Sequence, residues 1–395
     1  MPGKFAASLP GKLVLGLVCV FNGLLGWRLL GLPHWHVLWD LPQFYLSSQM
    51  VRAGQLSQIY NPDAYTPYLD KFRLENPAAA KVTWVYFNRP AFEAPLFAPL
   101  SFLSYPQAQW MVLGINLLLL AFLVWKLPQW FPVTIPTRIW LFAFLPFLIS
   151  IGLGQDTLLL TVLVAGGLHL ALQPKNQNDV TAGVLIALAG FKPHLVALLP
   201  LAFLAARRWR LFGSYAVTAC TLGALSWLMV GTDGIRGWIR LLQAPSTDTY
   251  PERMGNLRAL AIHFASPSVA IVCGVLVVIA FAVILWRESF AKQCSAALLV
   301  ALLMSPHAFH QDYSTAAIAG FMAFPPAALL LLLLPWQYFD SSSNHTMIPV
   351  IVFNMACLVM LAGEQPVTKW FTRLIASRRG RNQIAETSEL TMRSS

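Results

Sequence analysis

A handful of polar side chains interrupt a strongly apolar chain, and their types suggest group transfer. Asp40 stands alone in "HWHVLWDLPQFYLSSQMVRAG", with no lysine or arginine between Arg28 and itself. Lys192 precedes Pro193 in "AGVLIALAGFKPHLVALLP", with His194 beyond it, and Gln155 and Asp156 close "GLGQD". His307, His310 and Asp312 share "SPHAFHQDY", while Arg253 and Arg258 fall in "YPERMGNLRALAIHF". Ionisable groups near a bilayer are costly and by default face a cavity with a task. A carboxylate without a basic neighbour suits a general base, and a cation at a helix end suits a phosphate.

Each residue also has a plain structural reading. Asp40, with Pro42 two residues on, could cap the helix that begins there. Lys192 could snorkel, Arg253 and Arg258 could be solvated loop charges, and Gly152 and Gly154 account for a turn at Gln155 and Asp156 without chemistry. His307 and His310 at i and i+3 can share a helix face, but zinc needs a third ligand that the sequence does not offer. Substrate hydrogen bonding fits these histidines better, and the few acids form no cation cage, so a reaction without metal or other cofactor is expected. Walker A, GxGxxG, HExxH and GxSxG patterns are absent from the sequence, which argues against an ATPase, a dinucleotide-binding enzyme and hydrolases of those types.

The elements that position these residues are membrane helices. Of 395 residues 57% are hydrophobic and 11% charged, against about 25% charged in soluble domains. Runs such as "QAQWMVLGINLLLLAFLVW" and "SVAIVCGVLVVIAFAVILW" approach the roughly 20 residues that cross a bilayer. The net charge of +11 comes from basic clusters at span ends, "AARRWR", "WRESFAKQ" and "SRRGR", which reads as topology signal and headgroup contact with membrane lipids, not nucleic-acid binding. Cys19, Cys220, Cys273, Cys294 and Cys357 lie in apolar runs without CxxC spacing and read as packing residues. The basic-then-apolar N-terminus is too long for a signal peptide and reads as a retained first span.

Placing Lys4 and Lys12 inside puts the segment 31–106 on the non-cytoplasmic side. Keeping "RRWR" inside requires two half-depth helices meeting at Lys192 and Pro193, since proline disfavours helix in its predecessor and opens a new one well. A second outer loop is expected over about 231–267, and the stretch around Pro325 and Pro326 is either one span or a hairpin, with the basic tail favouring the hairpin. The expected fold is all-α, a polytopic membrane domain over 1–380 with about eleven to twelve segments, followed by a disordered cytoplasmic tail over 381–395. A sequon at Asn344 reads as accidental. In this topology Asp40, Arg89, Glu93, Gln155, Asp156, Lys192, His194, Arg253, Arg258, His307, His310 and Asp312 share the outer face.

The order of motifs, Asp40 with "YLSSQMVRAGQLSQIYNP", then "FNRPAFEAPLFAPLSFL", "GLGQDTLLLTVLVAGG", the Lys192-Pro193 junction, "MGNLRALA" and "SPHAFHQDY", resembles glycosyltransferase family 87 of the GT-C superfamily, from about Asp40 to Tyr313. The resemblance implies a hexosyltransferase of the plasma membrane, mannosyltransferase-like, moving a sugar from a polyprenyl-phosphate donor to a lipid or glycan acceptor on the periplasmic or extracellular side. It implies Asp40 as the catalytic carboxylate, with inversion at the anomeric carbon. The phosphate would rest on Lys192 and Arg258, with Gln155, Asp156, His194, His307, His310 and Asp312 around the substrate. Members commonly carry Asn where this chain has Asp156. The competing class, a transporter or flippase of a lipid-linked sugar, predicts internal repeats matched between halves. None stands out here.

Overall fold

In hydrocarbon every backbone N–H and C=O must find a partner within its own segment, so apolar runs of this length fold as helices. The computed structural model describes residues 38, 40–79, 86–131, 141, 144–244, 251, 254–323, 350–352 and 354–362, with isolated positions 16, 17, 20 and 24. No strand occurs among the described residues. The bulk of the expected first span, Cys19, Arg253, the prolines at 325 and 326, the sequon and the tail over 381–395 lie outside them.

Two short helices come first, α1 (Leu41–Arg52) and α2 (Pro62–Glu75), followed by a 3₁₀ segment over Ala91–Phe102. Pro90, Pro95 and Pro99 deprive that segment of amide donors, so the regular α pattern of bonds cannot form through it. Helix α3 (Tyr105–Trp130) then begins with Ser104 and Gln107 as a capping box, the Ser104 amide donating to Gln107 Oε1 at 2.9 Å. After it run α4 (Leu145–Leu153), α5 (Thr157–Ala171), α6 (Asp179–Leu188), α7 (Pro193–Val196), α8 (Leu199–Ala205) and the long α9 (Trp209–Gln243). Then follow α10 (Leu257–His263), α11 (Pro267–Arg287), α12 (Phe290–Met304) and α13 (Ser314–Ala323), and the described positions within 350–362 are helical as well.

Three of these, α3, α9 and α11, are long and apolar enough to cross a membrane. Helix α11 turns Ile271, Val272, Val275, Leu276, Val278 and Ile279 outward, an arrangement stable only against lipid or another apolar surface. The remaining apolar helices are shorter, among them α5, α12 and the pair around Lys192.

Packing divides into two cores. The larger joins α3 to α13 through residues such as Leu123, Phe147, Leu168, Phe203 and Leu302. The smaller lies under α1, α2 and the 3₁₀ segment, around Phe44, Tyr60, Tyr65 and Phe87, and reaches Val230 and Leu241 of α9. The segment 31–106 is thus a folded layer where it is described, with its own aromatic core. Much of 231–267 is also helical. At Gly231, with φ +68°, α9 bends and continues to Gln243, because Trp238 stacks toward Tyr60 at 6.3 Å and donates its indole hydrogen to the Asn88 carbonyl at 3.0 Å. Apolar anchoring against the first layer, invisible in a segment judged by its charges, makes this stretch helix.

Candidate active site

Asp40 occupies the residue before α1, where a cap would sit, yet its side chain makes no capping bond. Its amide instead donates to the Leu153 carbonyl at 2.9 Å, which ties the start of α1 to the end of α4. Helix α4 ends in a left-handed glycine, Gly154 with φ +69°, and the Gln155 amide folds back to the Ser150 carbonyl at 2.9 Å. A β-carbon at Gly154 would stand 3.0 Å from Leu38 Cβ and 3.1 Å from Leu41 Cβ, so the residues flanking Asp40 dock here because this position has none. Helix α5 starts at once with Asp156 at its N-cap position. Two polar side chains therefore emerge together from a three-residue corner beside Asp40.

Gln155 Nε2 donates to Asp40 Oδ2 at 2.5 Å, and Gln155 Oε1 accepts from Arg89 Nη2 at 2.9 Å. Arg89 also meets Asp156 Oδ1 at 3.1 Å. The Arg89 backbone is held from outside the cluster, its carbonyl accepting the Tyr60 hydroxyl at 2.5 Å. Lys192, in non-helical conformation before Pro193 as expected of that position, donates to Thr157 Oγ1 at 2.6 Å and Asp312 Oδ1 at 2.8 Å, with Asp156 Oδ1 3.7 Å away. Asp312 Oδ2 accepts the Phe309 amide at 3.0 Å, and the adjacent Tyr313 hydroxyl donates to the Gly255 carbonyl. Residues from six separate stretches of the chain thus meet at one end of the bundle. At the other end of α5 Arg208, just before α9, bonds the Ala171 carbonyl at 2.8 Å and pairs with Asp179, with Ala171 about 21 Å from Thr157 by helical rise.

Exposure ranks the members. Lys192 and Asp312 are 2% and 1% exposed and Glu93 is 1% exposed, whereas Asp40 is only half-buried. Burial pushes the Asp40 carboxyl above its ordinary value, an effect opposed by the Gln155 bond and the fields of Lys192, Arg89 and His307. Burial also works against Asp312, but the field and hydrogen bond of Lys192, with His194 and His307, together more than offset it and bring that carboxyl down to about 2.

His194 and His307 meet edge to face at 6.4 Å, and His307 stands 4.8 Å from Phe309. Nε2 of His194 is buried without a hydrogen-bond partner among the described residues. His310 is half-buried at the start of the 3₁₀ turn His310–Tyr313. Arg258 is exposed on α10 and donates to the Pro306 carbonyl at 3.4 Å, beside His307 in the chain. Lys192, expected to receive a phosphate, spends two of its three ammonium hydrogens on Thr157 and Asp312, with Asp156 as a further ion-pair neighbour. Among the described residues, no group of three or more His, Cys, Asp or Glu side chains is arranged to hold a metal ion.

Arg89 and Glu93 were not among the expected site residues, though both fall on the expected outer face. In "FNRPAFEAPLF" they look like loop charges of a proline-rich segment. Their signal was present only as burial in a chain with few acids, and that needs the fold.

The sequence model of glycosyltransferase family 87 matches residues 86–306, more than half of the chain. Neither the curated proteins nor the solved structures include a match. The matched segment contains Arg89, Glu93, Gln155, Asp156, Lys192, His194 and Arg258, with Asp40 and Asp312 flanking it on either side.

Proposed function

As the chain belongs to glycosyltransferase family 87 and is a glycosyltransferase, we propose that it moves a hexose, mannose by preference, from a polyprenyl-phosphate donor to a lipid or glycan acceptor with inversion. The reaction is placed at the non-cytoplasmic surface of the plasma membrane, with membrane lipids around the bundle and no nucleic-acid partner. One observation carries the reading: a half-buried carboxylate at a helix start leaves the cap unmade and turns to Gln155.

Asp40 takes the proton of the acceptor hydroxyl as that oxygen attacks the anomeric carbon, and the bond from that carbon to the phosphate oxygen breaks on the opposite face. The polyprenyl phosphate leaves with the bonding pair. Gln155 fixes the carboxylate by one oxygen and Arg89 fixes the amide, so the base is oriented before substrate arrives. Arg258 at the exposed rim is assigned to the phosphate. Lys192 acts from behind, through its field on Asp40 and its hold on Asp312. His194, His307, His310, Asp156 and Asp312 form the surround of the substrate.

The test uses purified protein in lipid nanodiscs with labelled polyprenyl-phosphate mannose and a lipid extract of the host. Label is expected to move to a new lipid or glycan with wild type and not with Asp40→Asn. Equal transfer by both removes Asp40 as the base. Movement of the intact donor between leaflets in proteoliposomes, without transfer, replaces the enzyme by a flippase.

A further inference from the structure

Glu93 has no task in the reaction above, yet it is among the most deeply buried acids of the molecule. It sits in the first turn of the 3₁₀ segment Ala91–Phe102, 1% exposed, on the same short stretch as Arg89. Its carboxyl group lies close enough to that of Asp156 for each to act on the other's proton. Two carboxylates cannot hydrogen-bond each other, since neither has a donor. In agreement, Glu93 Oε2 and Asp156 Oδ2 are both buried with no donor among the described residues. A single proton on one of the two acids supplies what both lack.

The surroundings decide which acid carries it. Arg89 Nη2 stands 3.1 Å and Lys192 Nζ 3.7 Å from Asp156 Oδ1, so the two cations favour the charge on Asp156. No ion pair is formed by Glu93 among the described residues. Asp40, Asp156 and Asp312 already set three carboxylates against the cations of Arg89 and Lys192. A fourth negative charge would be buried uncompensated, at a penalty that neutralisation avoids.

From this geometry we propose that Glu93 is a positioning residue working as the neutral acid: its carboxyl hydrogen is donated to Asp156, which locks Asp156 onto Arg89 and, through Gln155, aims Asp40. Burial and the nearby charge of Asp156 both push the Glu93 carboxyl well above the usual range, with Arg89 opposing. The chain of contacts runs from Glu93 to Asp156, Arg89, Gln155 and Asp40. The inference rests on the proposed transferase reaction for its last link alone; the proton on Glu93 stands without it.

Glutamine is the discriminating replacement, because its amide keeps a donor and the shape of the neutral acid. Glu93→Gln is expected to transfer sugar within roughly threefold of wild type, whereas Glu93→Ala falls on the order of a hundredfold, the loss that misplacement by about 1 Å produces. Infrared difference spectra of the full-length protein at neutral pH provide a second readout, independent of substrate. A protonated-carboxyl C=O band is expected in wild type and absent from Glu93→Gln. Its absence from wild type overturns the proposal, and so does a Gln variant as inactive as the Ala variant. If Glu93→Ala does not fold, the band and the Gln variant decide together. Should wild type transfer no label while the band is present, the proposed reaction fails and the placement of the proton holds.

Discussion

Gln155 and Asp40, 115 residues apart in the chain, are joined by a 2.5 Å hydrogen bond from amide to carboxylate. The bond is directional because the other end of the amide is taken: Arg89 donates to Gln155 Oε1 at 2.9 Å, and flipping the group would set its NH₂ against a guanidinium. Gln155→Glu replaces the donor by a second anion beside Asp40, a repulsive pairing that pushes the carboxyl further up. Transfer at saturating donor is expected to drop on the order of a hundredfold in Gln155→Glu. Gln155→Ala, which removes the donor without adding charge, should drop less. Unchanged turnover in both variants shows that the amide does not orient the base.

Asp40 should show the opposite signatures of stability and activity expected of a group kept for its chemistry. Burial raises its carboxyl above the model-peptide value of 3.8, so the ionised base is harder to hold folded than unfolded. A raised folded value contributes stability at low pH, and that contribution is lost as pH rises through it. At neutral pH the ionised side chain therefore opposes folding. Asp40→Asn is expected to melt at the same temperature as wild type or higher while losing 10²- to 10⁴-fold in transfer, roughly the range for a general base. In wild type, kcat should climb with pH through a value above 3.8 and then level. A clear fall in melting temperature for Asp40→Asn points to a cap or structural role instead.

How far the site was legible follows from what each residue needed. Asp40, Lys192 and Asp312 stand out because an acid or amine in an apolar run is costly, and basic span ends assign a side to each. Side-sharing is a one-dimensional property. Pairing is not: nothing in the sequence tells that the Lys192 ammonium donates to Asp312, 120 residues away, at 2.8 Å. Arg89 and Glu93 stayed unassigned because neighbouring prolines give them the look of a surface loop, while Tyr60 and Trp238 pull that loop inward through the Arg89 and Asn88 carbonyls. The part of α9 beyond Gly231 escaped for the same reason. Its polar residues are plain in the sequence, and the Tyr60 surface that holds Trp238 is not.

Lys192 is expected to matter first for stability. Removing it leaves Asp312 without its cation and Asp156 with only Arg89, and breaking a buried pair from one side costs about 3–5 kcal/mol. Lys192→Met should therefore lower the thermal midpoint in nanodiscs, and adding Asp312→Asn to it should restore part of the loss. The pH dependence has a definite sign. Asp312 is brought down to about 2 from 3.8, so its stabilising contribution is complete above the unfolded value and is lost as pH falls from there toward 2. Asp312→Asn should remove that acid-side decline. A Lys192→Met protein with unchanged midpoint and only a raised donor KM assigns the lysine directly to the phosphate.

Two glycines allow backbone strain to be separated from displacement of the base. Gly54 and Gly154 both adopt left-handed conformations, φ +71° and +69°, where a side chain costs about 1–2 kcal/mol. A β-carbon at Gly54 meets nothing within 4 Å, whereas at Gly154 it presses on Leu38 and Leu41 at 3.0 and 3.1 Å. Those two residues bracket Asp40, whose amide is bonded to Leu153 one residue before the glycine. Movement that relieves the contact must therefore shift the carboxylate relative to Gln155. Gly54→Ala and Gly154→Ala are expected to lose similar stability, but only Gly154→Ala should lose turnover, on the order of tenfold or more if the shift approaches the 1 Å that costs about a hundredfold. Measuring midpoint and kcat on both variants decides it. Equal kcat in the two proteins would mean that the corner between α4 and α5 yields without moving Asp40, and that the base tolerates more freedom than its short bond to Gln155 implies.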